Sequence, residues 1–292
     1  MHNTTERKVI IATTFRDFRG TENDLLQLEF LKSLKQQTHT NWVLVVTLFG
    51  EKNVTATLEN EGVPHIVRDG NAGTDRFSLT EVLRNAREVA LQYPDSIVLW
   101  TTCDIYLDTQ FFEVLATEAR SGTCGTSYPH THYSSVAAQQ KREGGTYFWS
   151  GLDAIFFSTD VLTNEAIPYL LTKYPNNGWG AGEFYFTALG MKFAKRMINI
   201  YPVALSKVAN NRSITDETQS FLSETNVRNR GIVSAMAKEL ALGPTEMRLW
   251  FLKYRFPSYS LHPMRFCAWF MIRFRIHLLG IRYRILKLFR IS

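Results

Sequence analysis

Three stretches of almost unbroken apolar, β-branched sequence constrain this chain more than any other feature: KVIIATT at residues 8–14, NWVLVVTLFG at 41–50 and SIVLWTTCD at 96–104. A strand with one wet face alternates polar and apolar residues. These runs do not alternate, so both of their faces must be covered. Between them, NDLLQLEFLKSLKQQ (23–37) sets Leu25, Leu28, Leu31 and Leu34 at helical spacing, with Thr21 or Asn23 as cap. SLTEVLRNAREVALQY (78–93) reads as a second helix and GVPHIVRD (62–69) as a further strand. The β-α-β-β-α-β order at short spacing predicts an α/β sandwich over a mostly parallel sheet. In such sheets ligands gather beyond the carboxyl ends of the strands, where Thr13, Thr14 and Asp104 fall.

Further along, Gly, Ser, Thr and paired His interrupt any periodicity from 120 to 150, which predicts loops and short strands. LDAIFFS (152–158) reads as a strand and TDVLTNEAIPYLLTKYP (159–175) as one helix. NNGWGAGEFYFTALGMK (176–192) begins as a Gly-rich turn and passes into a helix from about Glu183. MINIYPVAL (197–205) is a late strand, residues 206–230 read as polar loop, and VSAMAKELAL (233–242) as a helix. With 292 residues, 45% hydrophobic and 21% charged, the chain suits one large domain or a domain plus an appendage, and not a disordered polymer. Cys103, Cys124 and Cys267 lie far apart with no CxxC pair. That argues against a disulfide framework or structural zinc and fits a reducing cytosol. The apolar run before Arg16 and Asp17 is too short for a signal-peptide core and reads as a buried strand.

Several residues carry chemistry. Asp104 ends a very apolar run, where a carboxylate is costly unless it meets a cation or donors. It could hold Mg²⁺ or Mn²⁺ that also grips substrate phosphates, or only cap a turn. TTFRD (13–17) sets small hydroxyls and an arginine after the first strand, suited to a nucleotide or to a plain turn. DGNAGTDRF (69–77) brings Gly70, Asn71 and Gly73 ahead of a helix whose N-terminus could face an anion. No GxxxxGK[ST] loop occurs, which counts against a P-loop enzyme. Glu183 follows Gly180 and Gly182 among aromatic rings. Near a helix start the dipole would hold it ionised while apolar neighbours raise its basicity, the balance a general base needs; otherwise it is a helix-start glutamate beside a packing tryptophan. His130 and His132 would share a side of an extended segment, as metal ligands or as ordinary loop histidines.

Taken in order, these residues resemble a family-2-like, GT-A fold glycosyltransferase over about residues 8–205. FLKSLKQQTHTNWVLVV (30–46) is similar to the family's helix-to-strand passage, with Ser33, Gln37, Thr38 and Trp42 in place. TCDIYLDTQFF (102–112) is similar to the metal-binding DxD segment, with Thr102 where the first acid would stand. WGAGE (179–183) is similar to the region that carries the catalytic carboxylate. The second strand departs from the pattern, ending in Leu48-Phe49-Gly50 instead of an acidic pair, so the base contact must come from elsewhere, with Asp69 and Arg68 as candidates. The QxxRW motif of processive synthases is absent, which favours transfer of a single sugar. The resemblance implies inverting transfer from a nucleotide-diphosphate sugar, UDP foremost, with Glu183 as base and Mg²⁺ or Mn²⁺ on Asp104 and His132. It implies nucleotide-sugar contacts at Thr13, Thr14, Phe15, Arg16, Asp69, Asn71, Arg76, Thr102, Cys103 and Asp104. It further implies acceptor or sugar contacts at Trp149, Asp153, Trp179, Gly180 and Gly182. A nucleotidyltransferase of similar α/β fold and a glycan-binding scaffold are the alternatives.

From Met247 onward the chain holds ten Lys or Arg and no Asp or Glu, leaving 23 basic against 27 acidic residues before it, a formal −4. The division is therefore a mildly acidic body (1–245) and a basic, aromatic tail (246–292). Arg273, Arg275, Arg282, Arg284 and Lys287 break every candidate transmembrane span. The composition suits a helix lying on an anionic membrane, which implies a peripheral enzyme on the cytoplasmic face acting on a glycan or lipid-linked acceptor. Nucleic-acid binding is set aside because the acidic body adds no second basic surface. A helix pair packing a homo-oligomer is the remaining alternative.

Overall fold

The computed structural model describes residues 7–71, 77–127, 130–133, 135–141, 143–144, 146–148, 154–176, 182–200, 205–208 and 216–243, with positions 247, 274, 277, 278 and 281 in the tail. The first half runs β1 (Lys8–Thr13), α1 (Glu22–Lys35), β2 (Trp42–Leu48), α2 (Val54–Asn60), β3 (His65–Asp69), α3 (Leu79–Ala90), β4 (Ser96–Thr101), β5 (Ile105–Leu107) and α4 (Phe111–Glu118). It continues through β6 (Thr123–Ser127), β7 (His130–Tyr133), α5 (Val136–Lys141), β8 (Thr146–Phe148), β9 (Ala154–Ser158), α6 (Thr159–Leu162) and α7 (Ala166–Lys173). The remainder is α8 (Gly182–Phe193), β10 (Arg196–Ile200), β11 (Leu205–Val208) and α9 (Asp216–Glu239).

Seven strands form one sheet in the order β10-β6-β9-β4-β1-β2-β3. Only β9 runs against its neighbours, pairing antiparallel with β4 and β6. The apolar runs occupy the middle, where helices cover both faces, and alternate residues of β1 serve opposite cores. Val9 and Ile11 pack with Phe30, Leu34 and Phe112 on the side of α1, α2 and α4. Ile10 and Ala12 pack with Leu83, Val89 and Leu189 on the side of α3, α7 and α8. The fold is thus α/β, a mostly parallel sheet between helical layers. A second sheet, β5-β11-β7-β8, stands beyond the carboxyl end of β4.

The structure corrects the sequence reading in four places. The second and third strands do not follow directly. They are parallel, so a crossover is required, and α2 provides it by burying Val54 and Leu58. The buried stripe of α1 is rotated from the leucine spacing: Leu25 is 52% exposed, while Leu26, Gln27, Phe30, Leu31 and Leu34 face inward. The segment 159–175 is two helices, because the Asn164 carboxamide accepts from the Ala166 amide and starts α7 afresh. Part of the supposed loop 206–230 belongs to the 24-residue helix α9. Its inner face is polar at first (Thr225, Asn229) and apolar only from Val233 to Leu240, so the early part lacks the hydrophobic period that marks a helix.

Candidate active site

The site is built where β4 leaves the sheet. Thr102 leads into the turn Cys103–Asp104, which opens directly into β5. Asp104 is half-buried and its Oδ1 is shut off from solvent. Thr102 has a buried Oγ1 with no hydrogen-bond partner among the described residues, and a hydroxyl so placed is short of the bond that an incoming ligand or ordered water supplies. Among the described residues no three His, Cys, Asp or Glu stand together as a metal cage. One hard carboxylate still suits Mg²⁺ or Mn²⁺, which commonly keep waters and substrate phosphates as their other ligands.

The end of β1 lies alongside. Thr13 Oγ1 donates to Thr101 O at 2.7 Å and the side chain is fully buried. The ring of Phe15 is 1% exposed and packs on Phe18 and Phe30. Both residues were expected to meet a nucleotide; their side chains face the core, so only their main chain is available. Thr14 is half-buried and Arg16 exposed.

Beyond Phe15 the chain is held by side chains from two other elements. The Gln27 carboxamide accepts from Arg16 N at 2.7 Å and donates to Arg16 O at 3.2 Å. The Asn53 carboxamide does the same for Phe18, at 3.0 and 2.6 Å. Asp24 Oδ2 accepts from the amides of Arg19 (2.6 Å) and Thr21 (2.8 Å), and Asp17 Oδ1 from Lys52 N (2.8 Å). The Lys52 amide holds the Asp17 carboxyl below its ordinary value. For Asp24 burial pushes upward, but the amides of Thr21 and Arg19 outweigh it and the net shift is downward.

Just past the end of β2, Phe49 pairs with Phe77 of the segment that leads into α3. Phe49 meets Phe77 edge-on at 5.8 Å and lies so close over Gly70 that a Cβ there would be 2.4 Å from its ring. Asp69, the last residue of β3, is exposed, and its carbonyl accepts from the buried Asn85 carboxamide of α3 at 3.3 Å. Asn71 is exposed beside it. Arg76, Trp149, Asp153, Trp179 and Gly180 lie outside the described residues.

Glu183 is the second residue of α8, whose first residue is Gly182. Three positions on, Phe186 packs against Trp100 with ring centroids 5.1 Å apart, and against Phe157 at 5.7 Å. Trp100 is the penultimate residue of β4, so this contact sets the opening turn of α8 at the edge that carries Asp104. The other end of α8 points away: Lys195 and Arg196 amides donate to Gly122 O, just before β6 begins. His130 and His132 sit at alternate positions of β7. Lys207 of β11 is partnered with both His132 and Ile105, which puts His132 two strand spacings, about 10 Å, from the residue following Asp104.

No protein-family model and no curated protein sequence matches the chain. Among solved structures it is similar to a mannosyltransferase, PcManGT from Pyrobaculum calidifontis, in complex with GDP-Man and Mn²⁺, at 12% identity over 98% of this chain and 88% of that one, TM-score 0.48. It is similar to TarS of S. aureus at 11% identity over 87% of this chain, TM-score 0.49, and spans 44% of that protein. A 4-diphosphocytidyl-2C-methyl-D-erythritol synthase shares 12% identity over 77% of this chain and 100% of its own, TM-score 0.41. These are likenesses of chain path rather than of sequence.

The structure brings Asp104, Thr102, Arg16, Asp69 and the start of α8 to one edge of the sheet. The sequence reading did not single out Gln27, Asn53 or Asn85, nor the ring contacts of Phe49 and Phe186. For Gln27 a signal was present: it falls on the stripe of Phe30, Leu31 and Leu34, and a carboxamide on an apolar helix face needs a buried polar partner.

Proposed function

We propose that the chain is a glycosyltransferase that moves one sugar from a nucleotide-diphosphate sugar to an acceptor hydroxyl with inversion. The observation that carries this reading is the Trp100–Phe186 contact, because it joins the helix start bearing Glu183 to the edge bearing Asp104. In this proposal Thr14, Arg16, Asp69 and Asn71 meet the nucleotide, Thr102 and Asp104 its diphosphate side, and Trp179 offers a flat face to a sugar ring. Asp104, with His132 two strands away, would hold Mg²⁺ or Mn²⁺, which offsets charge developing on the leaving diphosphate. Glu183 takes the proton of the acceptor hydroxyl as its oxygen attacks the anomeric carbon, and the nucleoside diphosphate departs from the opposite face. The dipole at the N-terminus of α8 favours the ionised carboxylate that accepts that proton.

Donor hydrolysis and transfer should be screened across UDP-, GDP-, CMP- and dTDP-sugars. A scaffold turns over none of them, and that result would overturn the reading. Glu183→Gln should keep donor binding and lose transfer by on the order of 10²-fold or more; transfer near the wild-type rate would remove Glu183 as base. The nucleotidyltransferase reading is disfavoured by a specific observation. The amides of Arg16, Phe18, Arg19 and Thr21 are already bonded to Gln27, Asn53 and Asp24, so this loop has few left to cradle a triphosphate.

For the acceptor, a lipid-linked glycan of the bacterial surface-polysaccharide or lipopolysaccharide-precursor type is proposed, met at the inner face of the cell membrane. No helix among the described residues is long and apolar enough to cross a membrane. The tail supports attachment from one side. At the described tail positions Phe274, Leu278 and Ile281 are 54%, 49% and 42% exposed, spaced i, i+4 and i+7, and Arg273, Arg275 and Arg282 are close in sequence. The full chain should pellet with vesicles containing anionic lipid, and a Phe274→Ser/Leu278→Ser variant should remain largely in the supernatant. Equal pelleting would count against attachment through these residues.

A further inference from the structure

Gln27 touches both loops of the candidate site. Its carboxamide grips Arg16 at N and O, as a neighbouring strand would, and its Oε1 also accepts from the Cys103 thiol at 3.5 Å. It is 3% exposed and sits on a helix turn held by the core residues Phe30 and Leu31. Arg16 in turn projects an exposed guanidinium for which no hydrogen bond or ion pair is found among the described residues. Cys103 immediately precedes Asp104. One rigid amide therefore sets the spacing between a cation suited to phosphate oxygens and the carboxylate proposed to hold a divalent ion. The Asn53 grip on Phe18 fixes the same segment two residues further along.

We infer that Gln27 is a positioning residue for nucleotide diphosphate: it does not touch the ligand but locks the Arg16 main chain and the Cys103–Asp104 turn in the spacing that a diphosphate and its metal require. This rests on the glycosyltransferase reading. Fixed donor and ligand positions spare a binding site the cost of ordering when the ligand arrives, so removing the lock should act on affinity. Gln37 provides the control. It is another buried carboxamide on the same stretch, just past the end of α1, bonded to Ser33 O, Asp108 O and Phe112 N.

The experiment titrates UDP, GDP, CDP and dTDP with Mn²⁺ into the full chain by calorimetry, beside thermal unfolding and amide exchange. Gln27→Met keeps length and removes both hydrogen-bonding atoms. It should weaken the preferred nucleotide on the order of 10-fold and speed exchange of residues 16–18 and 103–104. Gln37→Met should lower the unfolding midpoint comparably and leave affinity unchanged. Asn53→Ala should weaken binding in the same direction, and decides the matter if Gln27→Met does not fold. Unchanged affinity in Gln27→Met, or equal weakening in Gln27→Met and Gln37→Met, overturns the positioning role while the function stands. Failure of the wild-type chain to bind any of the four nucleotides overturns both.

Discussion

A single carboxylate, Asp104, carries the metal side of the proposed site. It lies in the turn just past β4, and its Oδ1 is closed to solvent. Asp104→Ala should leave the fold intact, because the residue lies in a turn, and should remove the Mn²⁺ dependence of nucleotide binding. Calorimetry with and without Mn²⁺ checks this, and unchanged metal dependence would transfer the role to another group. Gly70 shows the opposite kind of constraint. An added Cβ would stand 2.4 Å from Phe49 Cε1 and 2.6 Å from Thr47 Cγ2, so Gly70→Ala must push the Phe49 ring off its seat. A loss of about 1–3 kcal/mol in denaturant unfolding is expected. The glycine was visible in the sequence, but its crowding was not, since Phe49 and Thr47 reach it from the neighbouring strand.

At the scale of elements, two ring contacts help seat α8, beside its core residues Tyr185, Ala188 and Leu189. Phe186 is 2% exposed and packs against Trp100 of β4 and Phe157 of β9. Phe186→Ala should cost about 3–5 kcal/mol. Because the same contact holds the start of α8 beside the Asp104 edge, the surviving folded protein should also lose transfer rate, by more than its donor affinity changes. Steady-state kinetics below the unfolding range test this, and an unchanged rate would mean that Glu183 is positioned by other contacts. The helical period of EFYFTALGMK announced α8, while the partner of Phe186 lies 86 positions earlier, beyond any local pattern. The early part of α9 escaped the sequence reading for the converse reason. Its inner face is closed by Thr225 and Asn229, so the stripe that reveals a buried helix is written in polar residues.

For the whole molecule, the titrating groups define a stability plateau. Asp17 and Asp24 are held low as described above. Asp160 is pushed up by burial, but the Gly122 amide and the Ser158 and Ser121 hydroxyls outweigh that and lower it. Glu239 is lowered by its hydrogen bonds to Lys173 and Tyr174. A carboxyl lowered in the folded state adds stability that is present above its unfolded value, about 4, and lost as pH falls through the folded value. Lys173 is raised by its hydrogen bonds to Glu239 and Tyr169, so its share is present below its unfolded value, about 10.4, and lost as pH rises beyond it. The unfolding midpoint should therefore be nearly level from about pH 5 to 9 and fall on both sides. Asp160→Asn should lower it near neutrality and flatten the acid limb; an unaltered acid limb would show that Asp160 contributes nothing there.

The sequence by itself determined that a mostly parallel sheet would be buried on both faces. It also determined that a helix would begin about Glu183, whereas the strand expected to run to Asp104 stops at Thr101 and leaves Asp104 in the turn beyond. These are local properties: the period of apolar residues reports which face is covered, and a change of period reports where an element stops. Tertiary structure alone decided that β9 enters antiparallel between β4 and β6, that Thr13 and Phe15 turn inward, and that α8 starts beside β4. It also decided that Gln27 joins the Arg16 and Cys103 segments. Those outcomes depend on which distant backbone groups and rings meet once the chain has crossed over itself. A buried amide or ring takes its partner from whichever element the topology brings within reach, and spacing along the chain carries no record of that choice.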